Sequence, residues 1–240
     1  MIVNYTDKGW QVITQRAHGL LAAQLCAHWA KDKQPARWVE TLIATAEHDD
    51  VYNEFESNDL LNENGGPRNF KMTGFHKADG ERLIQMAATK SAYIALLVAR
   101  HIHFVHGPDP KSKAFCQALE QQEKKWLTIS GTTAKEVSRS YELLEFCDAF
   151  SLLLCQGLIQ PEQRKIEISS GPDGEAYTMC ATDNGAVCVR PWPFEITTFG
   201  VSYETRTLSQ LTFKGVAQFR KALADADVET KRLVIRSEQE

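Results

Sequence analysis

The stretch LLEFCDAFSLLLC, residues 143–155, sets the strictest condition on how this chain folds. It reads as part of a long helix, and the turns around Asp148 supply Leu144, Phe146, Cys147, Phe150, Ser151, Leu152 and Leu154. A carboxylate surrounded in this way does not stay ionised unless a cation or hydrogen-bond donors hold it. Whatever fold the chain adopts must bring such partners to Asp148.

The chain is long enough to have an interior in which this matters. Its 240 residues, 43% apolar and 24% charged, match an ordinary globular protein with a sizeable core. A net charge of -4 argues against a nucleic-acid-binding surface. No run of about 18 apolar residues exists, so no membrane-spanning helix is expected. The opening MIVNYTDKGW lacks the basic-then-apolar pattern of a signal peptide. Six cysteines are present without C-x-x-C spacing, several of them inside apolar runs. That usage predicts reduced thiols and a cytoplasmic protein.

Along the chain, IVNYT and WQVIT flank DKG and predict a hairpin. QRAHGLLAAQLCAHWA comes next, with Leu21, Leu25 and Trp29 at helical spacing. KDKQP breaks it, and Pro35 opens a second helix over residues 36–48 that ends in His48 and Asp49. Residues 50–80 have little periodicity but keep Tyr52, Phe55, Phe70 and Phe75, which predicts an ordered lid or wall. Helices are predicted over residues 80–90, from Ser91 as N-cap to Gly107, over 111–129, and from a Thr133–Glu136 capping box to Gly157. After Pro161 the segments KIEIS, EAYTMCAT, AVCVRPW, ITTFGVSYETRTL and RLVIRS alternate like strands. SGPDG and DNG are the hairpin turns between them, and one helix spans residues 214–226. The expected fold is therefore mostly α. A helical body of residues 1–160, carrying the N-terminal hairpin, precedes a small antiparallel β appendage with one helix over 161–240, a sheet that the hairpin is free to join.

Ligand-type residues recur on these helices. His18 is on the first, His48 and Asp49 end the second, and Asp148 is midway along the last. Two imidazoles and two carboxylates suit a divalent ion such as Mn, Fe, Co, Ni or Zn. Adjacent side chains at a helix end point about 100° apart, so both reach one ion only if it sits off the terminus, with other helices closing the shell.

That order, a His, a His-Asp doublet about 30 residues later and an Asp on a late helix, resembles the HD superfamily of metal-dependent phosphohydrolases. The whole chain most resembles a bacterial HD-like family of unknown function. The shared features are MIVNYTDKGWQVITQRAH, HDD at 48–50, GGPRNF, a helix with His101, and PWPF at 191–194. The resemblance implies an HD-like helical bundle and a metal-bound water that hydrolyses a phosphomonoester or phosphodiester. Many HD enzymes add two histidines that hold a second metal, so one or two ions are expected. His101 shares a helix face with Ile94, Leu97, Val98 and Val105 and points inward as a further ligand. His103 and His106 share a surface stripe.

His48 and Asp49 would serve catalysis as well as metal binding, and Asp50 would orient His48 or a water from behind. His76, Arg68, Lys71 and Lys90 are candidate substrate contacts, with Arg16 and Arg100 as further phosphate-neutralising cations. The expected partner is a small phosphorylated molecule. Neither nucleic acid nor membrane is expected, and the helical surface leaves a homodimer open. Two rival readings stay beside hydrolysis: an HD-type di-iron oxygenase, and a non-catalytic binding or regulatory protein that keeps the metal for structure.

Overall fold

The computed structural model describes residues 1–172 and 174–237. Asp173, in the predicted SGPDG turn, and residues 238–240 lie outside the described residues. Helices run over Gln15–Ala27 (α1), Trp38–Glu47 (α2), Lys77–Ala88 (α3), Ala92–His106 (α4), Lys113–Ser130 (α5), Ala134–Cys155 (α6) and Val216–Asp225 (α7). Strands run over Ile2–Thr6 (β1), Gly9–Ile13 (β2), Ile166–Ser170 (β3), Ala176–Ala181 (β4), Val187–Arg190 (β5), Thr198–Leu208 (β6) and Val228–Arg236 (β7).

The helix boundaries reflect local chemistry. The Thr14 side chain caps α1 by accepting from Ala17 N, and Ser91 caps α4 by accepting from Ile94 N. Thr133 and Glu136 form the full capping box of α6, each side chain accepting from the other's backbone N–H.

The strands depart from expectation. All seven form one mixed sheet in the order β1-β2-β6-β7-β5-β4-β3. Every pairing is antiparallel except β5 with β7. Helix covers 46% of the chain and strand 21%, so the fold is α+β, not a mostly α HD-like bundle with a small antiparallel β appendage. The physical reason is the N-terminal hairpin: β2 pairs with β6 through Trp10–Leu208, Gln11–Thr207 and Val12–Arg206. The hairpin thereby extends the late strands into a sheet large enough to form a layer, and residues 1–160 and 161–240 share one core.

That core lies between the sheet and the pair α1 and α6. Ile2, Ile13, Tyr177, Val189, Phe199 and Ile235 from the sheet meet Leu21, Leu25, Phe146 and Phe150 from the helices. Trp29 stands at its centre with Phe146, Tyr177 and Phe194 around it, ring centroids 5.3 to 6.1 Å away. The PWPF segment fastens the sheet to the end of α1: Ala30 N donates to Pro193 O at 3.0 Å, and Glu195 N to His28 O at 2.8 Å. A second core lies on the other side of α6, where Val137 and Leu144 pack with Ala44 of α2, Leu83 of α3 and Leu97 of α4. Helix α6 is therefore buried on two sides, which accounts for its apolar residues all round.

The segment from 49 to 76 is an ordered wall. Phe70 N donates to Met1 O at 2.9 Å and Arg68 N to Leu60 O at 2.8 Å. The Asn69 side chain donates to Val3 O at 2.9 Å, and buried Glu54 accepts from Gln15 N at 2.9 Å. Among the described residues no helix is long and apolar enough to cross a membrane.

If the hairpin is part of the central core, truncating fully buried Ile13 to Ala is expected to cost about 2–5 kcal/mol in chemical denaturation. A cost below about 1 kcal/mol would return the hairpin to the periphery.

Candidate metal centre

Helices α1, α2 and α6 bring three donor atoms to one point. His18 Nε2 lies 3.1 Å from His48 Nε2, and Asp148 Oδ1 lies 3.1 Å from the first and 3.3 Å from the second. Both imidazoles are fully buried, and Asp148 nearly so. Gly19 permits the approach: a Cβ there would stand 2.6 Å from Ala46 O, so any side chain would push α1 from the end of α2.

The outer nitrogens fix which face each ring presents. His48 Nδ1 lies 2.8 Å from Thr45 O, an atom that only accepts, so Nδ1 carries the proton. Ser151 Oγ gives its proton to Asp148 O at 2.9 Å and so accepts from His18 Nδ1 at 2.6 Å. Both Nε2 lone pairs are thus turned on each other and on a carboxylate, and the arrangement needs a cation. With donors at about 2.1 Å from a metal, adjacent ligands stand about 3.0 Å apart at right angles and about 3.4 Å apart at the tetrahedral angle. The triangle of 3.1, 3.1 and 3.3 Å fits that range. Asp49 Oδ2 is farther, 3.9 Å from His18 Nε2 and 3.8 Å from His48 Nε2, within the about 4.2 Å of opposed ligands. Gln15 Nε2 holds that oxygen at 2.8 Å. His101 on α4 adds an imidazole beside that of His48, ring centroids 4.8 Å apart, with its Nε2 4.0 Å from Asp49 Oδ1. Two overlapping groups could hold an ion: His18, His48 and Asp49, and His48, His101 and Asp148.

The electrostatics agree. Burial pushes the His48 imidazole down, but Asp148 and Asp49 outweigh it and raise its pKa to about 9. Burial pushes Asp148 up, yet His48 and His18 hold it well below the usual carboxylate range. In the metal-free protein a proton on His48 supplies the positive charge that Asp148 requires. Burial and the neighbouring His48 bring His101 down to about 4, so that ring is neutral.

The site opens through Asp49, Asp148 and His101 into a cavity of about 750 Å³ bounded by the 49–76 wall. Arg68, Lys71 and His76 line it, as does Arg82, which no sequence motif singles out. Arg68 is paired with Asp59, and His76 Nε2 lies 3.8 Å from Asp59 Oδ2.

Other expected residues stand elsewhere. Lys90 pairs with Glu47 at 2.9 Å and does not line the cavity. Asp50 turns outward to Arg16 at 3.2 Å, leaving Thr45 to orient His48. Arg100 pairs with Glu123. His103 is exposed near Glu120, but His106 is half-buried and lines the cavity, contrary to the surface stripe expected for both. Gln15, Thr45, Ser151 and Gly19 join the site without having been expected there. Thr45 and Ser151 each lie three positions from a ligand group on the same helical face, a spacing visible in the sequence.

A family model described as a protein of unknown function (DUF3891) matches residues 1–210, and the chain belongs to that family. No curated protein and no solved structure matches it. Together with the seven-stranded sheet, this family match replaces the HD-superfamily resemblance.

The geometry makes two outcomes measurable. Asp148→Asn keeps the shape of the site but removes its buried charge, and elemental analysis after exposure to a divalent metal should find less of it in the variant than in the unaltered protein. A full complement in the variant would refute the ligand assignment. In the metal-free protein, the His48 pKa is raised from 6.5 to about 9, so its stabilisation is complete below pH 6.5 and disappears as pH rises through 9. Urea denaturation of chelator-treated protein should lose on the order of 3 kcal/mol across that window, and metal-loaded protein should not. A flat profile for the metal-free form would exclude this charge pairing.

Proposed function

We propose that this protein is a metal-dependent hydrolase of a small phosphorylated molecule, a phosphomonoester or phosphodiester, working in the cytoplasm. The observation that carries the reading is the triangle of His18 Nε2, His48 Nε2 and Asp148 Oδ1, which meets, through Asp148, a cavity large enough for an organic phosphate. Bound there, a divalent cation would supply acidification of a water towards neutrality and polarisation of a phosphoryl oxygen.

The chain's own groups divide the remaining work. His18, His48 and Asp148 would hold the cation, with Ser151 and Thr45 fixing the two rings. Asp49 is the more exposed carboxylate, faces the cavity, and is steadied by Gln15, which suits it to receive the water's proton. Lys71 and Arg82 line the cavity without a carboxylate partner among the described residues, so their charge is free to offset that of a phosphate. Arg68, already paired with Asp59, offers less.

The test is a panel of phosphomonoesters and phosphodiesters offered to metal-loaded protein. Turnover is expected, and Asp49→Asn at saturating metal should lower kcat by about 10²–10⁴. No turnover across the panel would end the hydrolytic reading. If chelation then lowered the melting temperature, the metal would be structural. Oxygen uptake by iron-loaded protein would point to oxygenation.

A further inference from the structure

His101 stands apart from the other two imidazoles of the site. His18 and His48 have their outer nitrogens anchored, by Ser151 Oγ and by Thr45 O. His101 is buried, yet its Nδ1 has no hydrogen-bond partner among the described residues. A buried ring nitrogen left in this way is costly, and it leaves the tautomer undetermined.

A matching deficit lies beside it. Tyr141, on α6 two turns before Asp148, has a hydroxyl screened from solvent and also without a partner. Its ring centroid is 6.3 Å from that of His101, the planes inclined at 56°. Burial and the charges of Asp148 and Glu145 raise the Tyr141 pKa, so the hydroxyl keeps its proton. Phe104 packs 6.1 Å from the same tyrosine ring and flanks it. An orphaned hydroxyl and an orphaned ring nitrogen therefore sit on two neighbouring rings, one from α6 and one from α4.

We infer that Tyr141 is the third anchor of the metal centre, a positioning residue whose hydroxyl accepts the Nδ1 proton of His101, directly after a small ring rotation or through one buried water. The anchored tautomer keeps the His101 Nε2 lone pair on the side of Asp49, as Ser151 and Thr45 do for His18 and His48. Tyr141 touches neither metal nor substrate; it acts through His101. This inference rests on the reading that His101 contributes to a metal site, and its test separates the two.

The first measurement needs no metal. Nitrogen-resolved NMR of the imidazoles in metal-free protein should find His101 with its proton on Nδ1, and Tyr141→Phe should shift it towards the other tautomer. The second is affinity for Co(II), read alongside its visible absorption. Tyr141→Phe should weaken binding about 10–100-fold and alter the absorption envelope, and it should have no further effect in a His101→Ala background. An unchanged tautomer and unchanged Co(II) binding in Tyr141→Phe would overturn the inference. So would an equal loss with and without His101, which would mean that the hydroxyl acts through general packing. If the unaltered protein binds no metal, the metal reading fails, and the tautomer measurement still decides the role of Tyr141.

Discussion

The charge of Asp148 is the constraint around which the molecule is organised. Helix α6 is buried against the sheet on one side and against α2, α3 and α4 on the other, so a carboxylate in its middle cannot reach bulk water along most of its surroundings. Leaving such a charge without its partner costs about 3–5 kcal/mol, a large part of the stability of an ordinary domain. The cost is avoided because α1 and the end of α2 each deliver an imidazole within 3.3 Å. Gly19 makes that approach sterically possible. The same contacts that settle the carboxylate turn two lone pairs inward, so neutralising the interior and assembling a cation site are one structural event.

The two layers have different duties in this arrangement. The sheet, with the aromatic cluster around Trp29 and the PWPF segment, fixes α1 and α6 relative to each other. The helical layer supplies His48 and His101 and leaves room for the cavity. The 49–76 wall closes that cavity, held by hydrogen bonds to Met1, Val3 and Gln15 and by Val51, Leu60, Phe70 and Phe75, which pack into the hydrophobic clusters behind it.

Much of this was readable in the residues, for local reasons. Thr14, Ser91 and the Thr133–Glu136 box cap the helices from side chains one turn away, and hydrophobic spacing of three and four marks the buried faces. The inward turn of His101 is dictated by Leu97 and Val98 beside it. The concealed part was non-local. The hairpin and β6 are separated by nearly the whole chain, and no local pattern states that they pair. Strand β7 begins at Val228, earlier than the RLVIRS motif suggests, because VETK lies along an exposed stretch without apolar alternation. Lys90 and Asp50 looked available because their partners, Glu47 and Arg16, come from neighbouring elements whose packing distance is a tertiary fact.

The family match ends at residue 210, within the turn after β6, yet the sheet is completed only by a strand beyond that point. Strand β7 lies between β6 and β5, pairing nine residues with the first and running parallel to the second. Its Ile235 is fully buried in the core against α1 and α6. Without β7 the edges of β5 and β6 would face each other across a gap of unpaired backbone, a cost no packed interior tolerates. Every donor of the metal centre, by contrast, lies between positions 18 and 148. The donors thus come from the body of the chain and the closing strand from beyond the family match, and they meet at α6, whose one face carries Asp148 and whose other face seats the sheet.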